Sequence, residues 1–153
     1  MIRHRPRADQ GQGQALVEFA IVLIPFLFLL MGIFDLGRGI YIDNGISQAA
    51  REIARTTSTN PCTGDPCTLG NSAETAAVID TQKKLIPGLA DATASIQITC
   101  TDITDAAKSS TACNGGLGNF VKVEVQVPFS VLTPLLSMVA PTTLSSTTHV
   151  EIP

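Results

Sequence analysis

Residues 15–34, ALVEFAIVLIPFLFLLMGIF, constrain this chain more than any other stretch. Twenty residues with Glu18 as the one charge are enough, at about 1.5 Å of helix rise each, to cross a hydrocarbon core of about 30 Å. A buried helix of a soluble protein fits poorly with that length and uniformity. A secretory signal would need an apolar core of about 7–15 residues ending in small residues of the A-x-A kind. Here the run is longer and closes on MGIFDLGRG, so the segment is expected to be retained. An uncleaved signal anchor satisfies the same observations.

Charge placement sets an expected orientation. Arg3, Arg5 and Arg7 precede the run against Asp9, whereas Asp35 and then Arg38 follow it, so the basic flank is N-terminal and should stay in the cytoplasm. Everything after the span would then be exported. From Asp35 onward 7 basic residues stand against 11 acidic ones, which argues against a nucleic-acid partner.

Cysteine usage agrees with export. Cys62, Cys67, Cys100 and Cys113 all lie on the expected outer side, where disulfides persist. Three connectivities are open. The economical one joins Cys62 to Cys67 within NPCTGDPC and Cys100 to Cys113 across the next loop, because each closes a short loop containing turn residues. Zinc is the rival reading, but C-x4-C and C-x12-C fit no common finger pattern. Neither a metal site nor a cofactor is expected.

Beyond the span the helix can continue. Ile42, Ile46, Ala49, Ala50, Ile53, Ala54 and Thr57 recur at helical spacing, with Arg51, Glu52 and Arg55 largely on the other side. Gly37, Gly39 and Gly45 weaken that helix and predict a bend near the membrane surface. TTSTNPCTGDPCTLGNS reads as a loop. A second helix follows, with Asn71 and Glu74 as a capping pair, Ala76, Ala77, Ile79, Leu85 and Ile86 as apolar positions, and Pro87-Gly88 as its stop. ASIQITCT puts Ile96, Ile98 and Cys100 on one strand face. NFVKVEVQVPF sets Val121, Val123, Val125 and Val127 opposite Lys122, Glu124 and Gln126. TLSSTTHVEI reads more weakly as a third strand after the LTPLLSMVAP excursion. The expected fold is α+β: a long N-terminal transmembrane helix continuing into an exported stem, a second short helix, and a small antiparallel sheet of about three strands. No internal repeat is visible.

Residues suited to catalysis are sparse. His149 is the one histidine beyond the span, at the end of a polar strand, and reads as a surface residue rather than a triad member. Asp102 and Asp105 lack the dense oxygen pattern of a calcium loop. The GRG at 37–39 and NGG at 114–116 are isolated glycine signals that turns explain. An exported enzyme is therefore a weaker reading than a membrane-anchored adhesion or envelope domain.

Glu18 is the remaining anomaly. A carboxylate in an apolar segment costs energy and is normally paired or functional, unless it snorkels to the interface from the first turn of an anchor. A cut after Gly13 would place a new amine on Gln14, one helical turn before Glu18 and at nearly the same depth. The two charges could then neutralise one another, within one chain or between neighbouring helices.

A basic leader, Gly13, and QALVEF with Glu18 and Phe19 at the fifth and sixth positions beyond it resemble the processing site of class III (type IV) prepilins. GQALVEFAIVLIPFLFLLMGIFDLGRGIY with NGISQAAREIAR resembles the N-terminal half of TadE-like pseudopilins of the tight-adherence, or Flp-type, pilus system. VKVEVQVPFSVLTPLL and the ending TTLSSTTHVEIP are similar to that family's C-terminal part.

The resemblance implies a type IV pilin-like architecture and a non-enzymatic role: a minor component needed to assemble Flp pili, which serve adhesion and biofilm formation. A prepilin peptidase would cut between Gly13 and Gln14, with Glu18 and Phe19 as processing motif and helix-packing residues. The implied domains are a cleaved basic leader 1–13, a transmembrane helix 14–35, an amphipathic stem 36–57 and an exported α+β domain 58–153. The implied partners are the bacterial inner membrane, the peptidase, other pseudopilins, the major Flp pilin and the assembly platform. Homo- or hetero-oligomers would form through the N-terminal helix.

Overall fold

The computed structural model describes residues 10–62, 68–109, 113, 118–133, 138 and 141–153. The leader before residue 10, Cys67 and the NGG at 114–116 lie outside these residues. The long helix α1 spans Gln10–Thr59 and the short helix α2 spans Ala73–Leu85. The strands are β1 (Ser95–Asp102), β2 (Ala107–Lys108), β3 (Asn119–Pro128) and β4 (Thr143–Glu151). They form one antiparallel sheet in the order β2-β1-β3-β4. The fold is α+β, with four strands rather than about three; the addition is the two-residue β2.

α1 has two chemically distinct halves. Its first half is apolar on every side, and large side chains from Leu16 to Leu36 stand exposed. Pro25 lies inside it. Its second half is amphipathic: Ile42, Ile46, Ala49, Ala50, Ile53, Ala54 and Thr57 are all buried, while Arg51, Glu52 and Arg55 are exposed. The periodicity at 42–57 thus marks the face that meets the sheet. Gly37, Gly39 and Gly45 do not interrupt the helix, because packing of the amphipathic stripe outweighs the roughly 1 kcal/mol each glycine costs. GRG is therefore a helical segment, not a turn. At the C-terminal end Ser58 Oγ donates to Arg55 O at 2.9 Å and Thr59 Oγ1 to Thr56 O at 3.0 Å, before Pro61 prevents further winding.

α2 begins one residue later than the sequence suggested. Its N-cap is Ser72, whose Oγ accepts from Thr75 N at 3.2 Å, so the Asn71–Glu74 pair does not cap it. Ser72 Oγ also donates to Thr75 Oγ1 at 2.8 Å, and Thr75 Oγ1 lies 3.3 Å from Thr57 Oγ1 of α1. This buried hydroxyl chain satisfies groups that would otherwise be costly to bury and ties the two helices together. Ala76, Ala77 and Leu85 face outward, whereas Val78 and Ile79 are partly buried and Ile86 is buried.

The sheet carries the core on one face. Val121, Val123, Val125 and Val127 are buried against the α1 stripe, with Leu69, Ile86, Leu89, Cys100, Cys113 and Ile152 completing the cluster. Lys122, Glu124 and Gln126 point the other way, as the alternation of β3 requires. Gly88 has φ +84°, and a Cβ there would lie 2.9 Å from Val127 Cγ1, so the chain turns after α2 only by admitting a glycine.

The direction of β3 follows from two contacts. Gly39 meets the Phe129 ring just beyond β3, and Ser47 Oγ lies 3.2 Å from Ser146 Oγ, whose strand partner is Val125. Residues 39 to 47 of a helix rise about 12 Å, and residues 129 to 125 of a strand about 13 Å. β3 therefore runs antiparallel to α1 and delivers its C-terminal end to the base of the stem.

Candidate functional site

Gly13, Gln14, Val17, Glu18 and Ile21 line one shallow concavity along the N-terminal half of α1. Their spacing puts them on one face, with Gln14 and Glu18 one turn apart. Gly13, Gln14, Glu18 and Phe19 are exposed, and a side chain at Gly13 would meet nothing within 4 Å. The Gly13–Gln14 peptide lies in the opening turns of α1. That end has no acidic residue in its first turn, and Gly11 and Gly13 lower its helix propensity, so it is the part of α1 that frays most readily. The most apolar window of the helix has a mean hydropathy of 2.6, and none of it is buried inside the molecule. Such a surface needs lipid or other helices around it.

At the end of the apolar run stands a second constellation, of which the sequence alone shows only a flanking charge. Asp35 is buried, at 3% exposure, directly after the largely exposed apolar half of α1. Its carboxylate accepts from Leu132 N at 3.0 Å, Thr133 N at 2.9 Å and Thr133 Oγ1 at 2.7 Å. One turn on, the Arg38 guanidinium donates to the carbonyl of Ser130 and sits 5.1 Å from the centre of the Phe129 ring. That ring packs over Gly39, where a Cβ would lie 3.4 Å from Phe129 Cζ, at the edge of van der Waals contact. Asp35, Arg38 and Gly39 thus latch the segment that leaves β3 onto the helix. The one hint in the sequence is an acid directly after 20 apolar positions; its partners lie almost 100 residues away.

Cys100 and Cys113 are joined by a disulfide with a Cα separation of 6.1 Å, which pins the end of β1 to the segment beyond β2. The expected pairing of Cys62 with Cys67 falls outside the described residues, because Cys67 does.

The remaining polar candidates form a turn. Asp102 Oδ1 accepts from Thr104 N at 2.8 Å, Thr104 Oγ1 at 2.6 Å and Ala106 N at 3.0 Å, closing the β1–β2 connection. The Thr104 hydroxyl and the two amides hold the Asp102 carboxyl below the usual carboxylate range. Asp105, at φ 63°, accepts from Lys122 Nζ at 2.8 Å, and that ammonium depresses its carboxyl too. His149 Nε2 lies 3.8 Å from Asp105, on the sheet face opposite the core. No group of three or more potential metal ligands occurs among the described residues.

The class these features define is a small α+β head carried on a single helix whose exposed apolar half is long enough to cross a membrane. Residues 13–55 match the family of TadE-like proteins, components associated with the Tad pilus. The match takes in nearly all of α1, from the Gly13 motif through the latch residues to the buried stripe, and none of the sheet. No curated protein and no solved structure matches the chain significantly.

Proposed function

We propose that this chain is a minor pilin-like component of tight-adherence pilus assembly, anchored in the bacterial inner membrane with its head outside and processed after Gly13. The observation that carries the reading is the face Gly13–Gln14–Val17–Glu18–Ile21, exposed on an apolar half-helix whose most apolar window is covered by none of the described residues and lies within the TadE-like segment.

A prepilin peptidase would hydrolyse the Gly13–Gln14 amide, leaving a carboxylate on Gly13 and an amine on Gln14. The fraying start of α1 can supply the extended backbone that a protease requires. Loss of Arg3, Arg5 and Arg7 lowers the cost of drawing the helix from the bilayer, since those cations hold the N-terminus on the cytoplasmic side. The ammonium of Gln14 then pairs with Glu18 of its own or a neighbouring helix. An ion pair among apolar side chains fixes axial register, because a slipped arrangement leaves both charges unpaired. The other pseudopilins, the major pilin and the assembly platform are the partners of that helix, and adhesion and biofilm formation are the outputs.

Glu18→Gln keeps the side chain's shape and removes its charge. Cells carrying it should still process the chain but assemble pili poorly; normal piliation would refute the register role of Glu18.

A further inference from the structure

We propose that the segment after β3 is a membrane foot: Leu132 dips into the outer leaflet beside the end of the spanning helix, and Asp35 and Arg38 hold it at that depth. The proposal rests on α1 spanning the membrane through its apolar half.

Depth is set by hydrogen bonding. If residues 15–34 fill the hydrocarbon core, Asp35 is the first position beyond it, and Leu132 N, at 3.0 Å from its carboxylate, shares that level. β3 runs down the stem toward the same place. Leu132 is 71% exposed, and Phe34 and Leu36, either side of Asp35, are 75% and 65% exposed. Exposed apolar residues thus stand on both the helix and the head at the level of Asp35.

Each backbone polar group that is already paired lowers the cost of bringing irregular chain to an apolar boundary. Here Leu132 N, Thr133 N and the Thr133 hydroxyl are taken by Asp35, and the carbonyl of Ser130 is taken by Arg38. A latch in solution would not require an exposed leucine; a foot in lipid does. The flanking chemistry fits an interface. Arg38 stands about 4.5 Å above Asp35, at the level of lipid phosphates, and the chain's single tyrosine, Tyr41, about 9 Å above it.

The chain contains no tryptophan, so single substitutions report depth directly. Leu132→Trp, Phe26→Trp and Ile103→Trp all replace exposed side chains, and each full-length variant is reconstituted into phosphatidylcholine vesicles with or without brominated acyl chains. Ile103 follows β1 at the end of the sheet far from Phe129, so it reports water. Leu132→Trp should emit to the blue of Ile103→Trp and be quenched roughly twofold or more by lipid brominated near the headgroup, as a side chain about 5–10 Å into the interface would be. Phe26→Trp should be quenched by lipid brominated deeper. A Leu132→Trp signal like that of Ile103→Trp, with Phe26→Trp quenched, overturns the foot alone. Blue-shifted Leu132→Trp without quenching places a second copy on this surface and also overturns it. Unquenched Phe26→Trp overturns the membrane span itself.

Discussion

Asp35 and Thr133, 98 residues apart, are joined by two hydrogen bonds to one carboxylate oxygen, from the Thr133 amide at 2.9 Å and its hydroxyl at 2.7 Å. This pair fixes the segment that leaves β3 to the helix. The antiparallel course of β3 along the stem leads to it, and Arg38 and Gly39 hold Phe129 one turn above.

Asp35→Ala should free the segment after β3 without unfolding the head, whose core lies on the 42–57 stripe. Hydrogen exchange is the measurement: the Leu132 and Thr133 amides should lose protection by roughly tenfold or more while those of Val123 and Val125 keep theirs. Asp35→Asn, which still accepts at one oxygen, should fall between. Unchanged protection in Asp35→Ala would show that the latch does not hold the segment.

The central packing is the stripe against the valines. Ile53→Ala, at a fully buried position, should destabilise the head by about 2–4 kcal/mol. Leu85→Ala, at an exposed position of α2, should change stability by less than about 0.5 kcal/mol. Denaturant titration of the two variants in parallel checks both.

Much of this was legible in the chain because it is periodic. The buried residues of α1 from Ile42 to Thr57 and the four valines of β3 sit where spacing alone puts them. What spacing could not reveal depends on partners distant in sequence. Asp35 looked like a flanking charge because its donors are Leu132 and Thr133. GRG reads as a turn in sequence because the Phe129 ring that packs over Gly39 lies 90 positions on. The cap of α2 was misplaced by one residue because Asn71 and Ser72 are both good N-caps, and the choice was made by the buried Thr57–Thr75 contact.

The disulfide between Cys100 and Cys113 spans 13 positions. Replacing both cysteines by serine should cost about 3 kcal/mol in the chain-entropy account, read as a lower denaturation midpoint. A midpoint equal to that of the parent would mean the link constrains nothing that folding has not already ordered.

Acid should loosen the β1–β2 turn before the core. Asp102 and Asp105 are both depressed in the folded state, Asp102 chiefly by the Thr104 hydroxyl and Asp105 chiefly by Lys122. Groups lowered on folding contribute fully above their unfolded value, about 3.9, and that contribution disappears as pH falls through the folded values. Protection of the Thr104 and Ala106 amides, corrected for intrinsic exchange, should be flat above about pH 5 and decline below about pH 4. Lys122→Met, which removes the main cause of the Asp105 depression, should shrink the Asp105 part of that decline.

The most direct test of the central claim is intact-mass and N-terminal peptide analysis of the full chain, extracted from membranes of cells with and without the cognate prepilin peptidase. The expected result is a mature chain beginning at Gln14 only when the peptidase is present. A chain that keeps residues 1–13 in both cells would contradict the pilin-like account and leave α1 an uncleaved anchor.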